Sequence, residues 1–198
     1  MTKKTKETKK ARSLTSMQVE EELKREIYKS KYKTILKSTI YSLITIAAVA
    51  VLIATLVLPV LEVNSSSMSP TVNEGEIVVS IKSKNLSSGD VVAFYHGNKI
   101  LVKRVIAKAG SWVNMDKDGN VYVDGKLLNE SYLNEKSLGE YDIEFPYQVP
   151  DGSHFVLGDE RTTSIDSRMQ EIGCISKDNI IGKIIFRVWP IDTFGLIN

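Results

Sequence analysis

The stretch Asp90-Val91-Val92-Ala93-Phe94-Tyr95, His96-Gly97-Asn98-Lys99, Ile100-Leu101-Val102-Lys103-Arg104-Val105-Ile106 reads as two strands joined by a short turn. Both runs are apolar and rich in β-branched residues, and the four residues between them carry turn chemistry, so a β-hairpin is expected. Side chains alternate along a strand, so Leu101, Lys103, Val105 and Ala107 share one face, while Ile100, Val102, Arg104 and Ile106 share the other. Each face is otherwise apolar, the pattern of a strand covered on both sides.

Similar punctuation extends outward from this hairpin. Glu76–Ile81 precedes it, separated by Asn85–Gly89. Trp112–Met115 and Val121–Val123 flank Asp118-Gly119-Asn120, and Asp124-Gly125 makes a further turn. His154–Leu157 and Ile180–Trp189 read as two more strands, and residues 129–150, with Tyr132, Tyr141 and Tyr147, as a long irregular connection. Strands do not alternate with helices, so the expected domain is mainly β with antiparallel sheets.

Ahead of these strands, Ser38–Leu61 contains no charged residue and is dense in Ile, Leu, Val and Ala. About 20 apolar residues cross the hydrocarbon core as a helix, so the run is long enough for a transmembrane anchor. A cleavable leader would have an apolar region of about 7–15 residues and a small-residue cleavage site. Here the run leads into Leu61-Glu62-Val63-Asn64 with no Ala-x-Ala pattern, so a retained anchor is expected. Residues 1–37 hold 12 of the 26 Lys and Arg but only 5 of the 24 Asp and Glu. That excess places the N-terminus in the cytoplasm and residues from Glu62 onward outside. The chain thus divides into a basic cytoplasmic tail (1–37), an anchor (38–61) and an extracytoplasmic domain (62–198). Residues 1–14 are expected to be disordered. A helix over Thr15–Lys37 is plausible, with Val19, Leu23 and Ile27 on one stripe, although a solvated, topology-setting tail is preferred.

A basic head on an acidic body argues against a nucleic-acid-binding domain. Cys174 is the single cysteine, which excludes an intramolecular disulfide and reads as a small, partly buried side chain. His96 and His154 are far apart in the sequence and lack metal-ligand spacing, so a zinc site is not expected.

Three segments carry chemistry. Asn64-Ser65-Ser66-Ser67-Met68-Ser69-Pro70-Thr71 has the composition of a flexible linker, but strand-like sequence follows with no spacer, which puts these serines at the edge of the domain. Lys103 is either an edge residue that snorkels or a buried amine. Burial would disfavour its charged form by up to about 3–5 pKa units and make it a base for a serine hydroxyl. Gly158-Asp159-Glu160-Arg161-Thr162-Thr163-Ser164-Ile165-Asp166-Ser167-Arg168 is either a solvated turn or a structured loop in which Asp166 and Arg168 pair.

In order and spacing, these segments resemble the signature boxes of the type I signal peptidase family in its small single-anchor bacterial form. Ser67-Met68-Ser69-Pro70-Thr71 matches the Ser-Met-x-Pro-Thr box of the nucleophile, and Gly89-Asp90-Val91-Val92 matches a structural box. Lys103-Arg104-Val105-Ile106 matches the box of the general base, and Gly158 to Arg168 matches the Gly-Asp-Asn-Arg…Ser-x-Asp-Ser-Arg box. The resemblance implies a membrane-bound serine endopeptidase that removes signal peptides from exported preproteins. In it, Ser67 is the nucleophile, Lys103 the base, and Ser65 with the Ser67 N–H the oxyanion hole. Ser164 orients Lys103, while Asp166, Arg168, Arg161, Arg104 and Asp159 support the site. It also implies preproteins, membrane lipid and the Sec translocon as partners, with no nucleic acid, metal or cofactor. Glu160 departs from the usual Asn, Ala107 from Gly, and Lys108-Ala109 from Leu-Pro; none of these touches the dyad. The competing reading is a non-enzymatic anchored β module that assists surface-protein or pilus assembly.

Overall fold

The computed structural model describes residues 3–83 and 85–197, with side chains described for 17–53, 58–83 and 85–197. It forms two compact units, one ending at Ala54 and the other beginning at Thr55.

The described residues of the first unit all lie in one helix, α1 (Lys3–Val57). No Gly or Pro interrupts the chain before Pro59, and Lys, Glu, Ala and Leu favour helix. Residues 3–14, expected to be disordered, therefore continue this helix. The described side chains of α1, residues 17–53, are exposed although many are Ile, Leu and Val, as suits a helix that meets lipid. The helix also stops short of the expected anchor boundary. Pro59 has no N–H to continue it, and Val60 and Leu61, assigned to the anchor from sequence, lie in a strand instead.

The second unit is built from antiparallel strands. In chain order they are β1 (Val60–Glu62), β2 (Ile77–Ile81), β3 (Val91–His96), β4 (Lys99–Lys108), β5 (Trp112–Met115) and β6 (Val121–Val123). There follow β7 (Lys126–Leu127), β8 (Tyr147–Gln148), β9 (Ser153–Leu157), β10 (Ile175–Ser176), β11 (Ile180–Trp189) and β12 (Gly195–Leu196). The larger sheet runs β1-β2-β11-β3-β4-β9-β10, with β12 also on β11; the smaller runs β7-β6-β5-β8. The β6–β7 turn needs positive φ at two consecutive residues, and Asp124 (50°) and Gly125 (76°) supply it.

The hairpin expected at 90–106 is β3–β4, paired from Val91↔Arg104 to His96↔Lys99. On its other edge β4 meets β9 only from Arg104 onward. Lys99–Lys103 therefore leave that edge of β4 open among the described residues. Apolar side chains fill the space on both sides of this strand. Val63, Met68, Val72, Val78, Val91 and Ala93 form one cluster, which Val102 joins. Val92, Phe94, Val105, Val156 and Ile175 form another, which Leu101 joins. A third, with Ile106, Val113, Val121, Phe155 and Leu157, ties the small sheet to β4 and β9. Burial of these clusters fixes the backbones from which the polar residues below project.

Candidate active site

Ser67 sits in one turn of 3₁₀ helix, Ser66–Met68. The turn is held at three points. Met68 is fully buried in the apolar cluster beside Val102. The Ser65 hydroxyl caps it by accepting the Ser67 N–H at 3.2 Å. From across the molecule, the Glu160 N–H donates to the Ser67 carbonyl at 3.1 Å. The serine-rich run is thus a built corner and not a tether.

Lys103 projects from β4, 3% exposed, and its Nζ lies 2.7 Å from Ser67 Oγ and 3.0 Å from Ser164 Oγ. No carboxylate forms an ion pair with it among the described residues. Burial pushes its amine down from 10.5 to about 8; Asp166 and Asp159 act upward and Arg168 downward, but from a distance. A fully buried ammonium without a contacting anion is costly, so the neutral amine becomes accessible near physiological pH. In that form Lys103 Nζ carries a lone pair 2.7 Å from the Ser67 hydroxyl.

The residues around this pair form an ion-paired frame. Arg104, on the opposite face of β4, makes a two-pronged contact with Asp159 at 2.9 and 2.7 Å, and also reaches the Gly89 carbonyl at 2.7 Å and Thr71 Oγ1 at 3.0 Å. Such fork geometry is what a guanidinium provides and an ammonium does not. Asp166 binds Arg168 at 2.8 and 2.9 Å and takes the Gly158 N–H at 3.0 Å. Burial alone would raise the Asp166 carboxyl, but Arg168, the Gly158 N–H and the Ser164 hydroxyl hold it below its ordinary value. Arg161 donates to the Gly158 carbonyl at 3.0 Å and pairs with Glu130. Gly158 itself is required by close approach. A Cβ there would overlap the Ser164 side chain and lie 2.6 Å from the Ser67 carbonyl oxygen.

All nine residues singled out from the sequence therefore converge, with one difference in detail. Ser65 and the Ser67 N–H, assigned as joint donors to an oxyanion, are hydrogen-bonded to each other. Two participants were not singled out from the sequence. Glu130 pairs with Arg161, and the Tyr132 ring stacks over the Arg104 guanidinium at 3.9 Å. Both lie in the irregular 129–150 connection, where no periodicity or motif marks them. Thr71, by contrast, lies inside a quoted box, and its hydroxyl donates to Asp159 at 2.5 Å.

A groove of about 870 Å³ opens onto Ser67 and Lys103, walled by Leu61, Val63, Met68, Leu101 and Val102 and by Ile165 of the loop. It runs beside the open edge of β4, where an extended peptide could add as a strand. Among the described residues no group of three or more His, Cys, Asp and Glu is placed to hold a metal ion.

The family model for signal peptidase, peptidase S26, matches residues 36–189. A probable signal peptidase I-2 of Synechocystis sp. is 32% identical over 168 residues, covering 79% of this chain and 74% of the relative. Signal peptidase IB of Staphylococcus aureus is 39% identical over 154 residues, covering 67% of this chain and 78% of the relative. A crystal structure of a signal peptidase I from Enterococcus faecalis aligns with 50% of this chain and 97% of its own, at 27% identity and a TM-score of 0.42. With a family match over most of its length and relatives at 32% and 39% identity, the chain belongs to the signal peptidase family, peptidase S26.

Proposed function

We propose that Ser67 is the nucleophile and Lys103 the general base of a membrane-anchored serine endopeptidase that removes signal peptides from preproteins. The observation that carries this reading is the Lys103 amine, buried between the hydroxyls of Ser67 and Ser164 with no carboxylate in contact among the described residues. Neutral Lys103 takes the Ser67 proton as Oγ attacks the scissile carbonyl, forming the Oγ–C bond. The tetrahedral oxyanion displaces the Ser65–Ser67 contact, taking the Ser67 N–H and a hydrogen bond from the Ser65 hydroxyl. Lys103 then returns the proton to the leaving nitrogen as the scissile C–N bond breaks. Lys103 next takes a proton from water as that water attacks the acyl carbon, and gives it to Ser67 Oγ as the Oγ–C bond breaks. Ser164 keeps Lys103 aimed, while Asp159–Arg104, Asp166–Arg168 and Arg161 hold the loop.

The basic residues before the apolar run support a cytoplasmic N-terminus and a catalytic domain on the outer side. The Sec translocon and membrane lipid are the expected neighbours there, since preproteins emerge and remain anchored at that surface. The test is cleavage of a preprotein by the full chain in detergent, beside Ser67→Ala and Lys103→Ala. Cleavage after a small residue by the parent, lost in both variants, is expected. Full activity in either folded variant overturns the assignment, and an inert folded parent in lipid supports the non-enzymatic module.

A further inference from the structure

The irregular connection after β7 contributes a buried carboxylate that the reaction as described does not use. Glu130 and Arg161 have fully buried side chains and pair with each other. Glu130 also accepts the Tyr132 hydroxyl at 3.1 Å on the oxygen that meets Arg161. The other carboxylate oxygen and Arg161 Nη1 have no hydrogen-bond partner among the described residues, so the pair hangs on one contact.

That contact has consequences further in. Arg161 spends its Nε on the Gly158 carbonyl. Gly158 is wedged between the Ser67 carbonyl and the Ser164 side chain, the two serines whose hydroxyls hold Lys103 Nζ. On the other side, the Tyr132 ring lies against Arg104, 3.9 Å from ring centroid to Cζ, and Arg104 is the residue next to Lys103 and the partner of Asp159. Segment 130–132 thus grips both the strand that carries the amine and the loop that sets the hydroxyls. A carboxylate that served only to neutralise Arg161 would need none of this connectivity.

We propose that Glu130 is a positioning residue that, through Arg161 and Gly158, sets the placement of Ser164 and Ser67 about Lys103. This rests on the Ser67–Lys103 reading above and names a residue outside every motif that supports it. Displacement of reacting groups by about 1 Å costs on the order of a hundredfold in rate, while groove contacts to substrate stay in place.

The experiment is steady-state cleavage of a preprotein by the full chain in detergent, for the parent, Glu130→Gln and the double variant Glu130→Gln with Arg161→Gln. Folding is checked by near-UV circular dichroism. The double variant removes both buried charges together, so it remains informative if the single one fails to fold. Expected is a kcat lower by about tenfold to a hundredfold, with KM within about twofold, in every variant that folds. Parent-like kcat in either folded variant overturns the proposal, as does a raised KM with unchanged kcat. Recovery of kcat in the double variant alone would likewise assign Glu130 to charge neutralisation only. An inactive parent would instead strike the Ser67–Lys103 reading, so the two failures are distinct.

Discussion

Lys103 and Arg104 are consecutive residues of one strand, both cationic and both buried, and the structure treats them in opposite ways. Arg104 faces a carboxylate, a backbone carbonyl, a threonine hydroxyl and an aromatic ring. Lys103 faces two serine hydroxyls and, among the described residues, no anion in contact. Burial is common to both, so burial alone does not make a base. What distinguishes Lys103 is that the neighbouring carboxylates are spent on arginines: Asp159 on Arg104 and Asp166 on Arg168. The frame keeps anions close enough to hold the loop and too far to pin a proton on the amine.

The comparison can be tested where it should fail most visibly. Lys103→Arg keeps charge, length and burial but cannot lose its proton, so cleavage should fall by at least about 10⁴-fold in a preprotein assay. Retained cleavage would mean that deprotonation is not what the site needs. Asp159→Asn should take from buried Arg104 its two-pronged carboxylate and cost about 3–5 kcal/mol in denaturant unfolding, far more than an exposed pair. A change under about 1 kcal/mol would show the Arg104 pairing to be incidental.

Lys103→Met should act in the opposite direction. In the unfolded chain the amine holds its proton up to 10.5, and in the folded protein only up to about 8. Between these values folding releases a proton, so stability rises with pH; below about 8 the whole cost of the buried charge is borne. At pH 7 the methionine variant should therefore be more stable by up to about 3 kcal/mol, less the contribution of two hydroxyl bonds, and the gain should fade towards pH 10.5. Melting curves at pH 7 and pH 10 check this, and an equal gain at both would sever burial from titration. For the parent, kcat/KM should climb about tenfold per pH unit and level off near pH 8 as Lys103 becomes neutral. The smallest effect is expected at Glu160→Asn, about twofold or less in rate, because it is the Glu160 N–H that reaches Ser67 while its carboxylate accepts the Thr162 hydroxyl.

Much of the fold was legible because periodicity reports burial. Trp112–Met115, Val121–Val123 and Ile180–Trp189 appear as strands with the bounds read from the sequence, and the 90–106 hairpin within two residues. The short strands β1, β7, β8, β10 and β12 were not legible. Two residues are too few for an alternation in β7, β8, β10 and β12, and the pairing of all five is set by the strands beside them. Val60 and Leu61 show this well: apolar and continuous with the anchor in sequence, they are drawn into the sheet by register with β2.

The sequence by itself determined the long apolar helix, the antiparallel strands and the order of the motif segments, because these depend on local pattern and on which residue types are present. Only the tertiary structure decided that Lys103 and Ser67, 36 positions apart, lie 2.7 Å from each other. It also decided which of two adjacent cations is paired and that Glu130 reaches across to Arg161. Those outcomes depend on how buried polar groups divide a small number of partners among themselves, and that division exists only once the chain is packed.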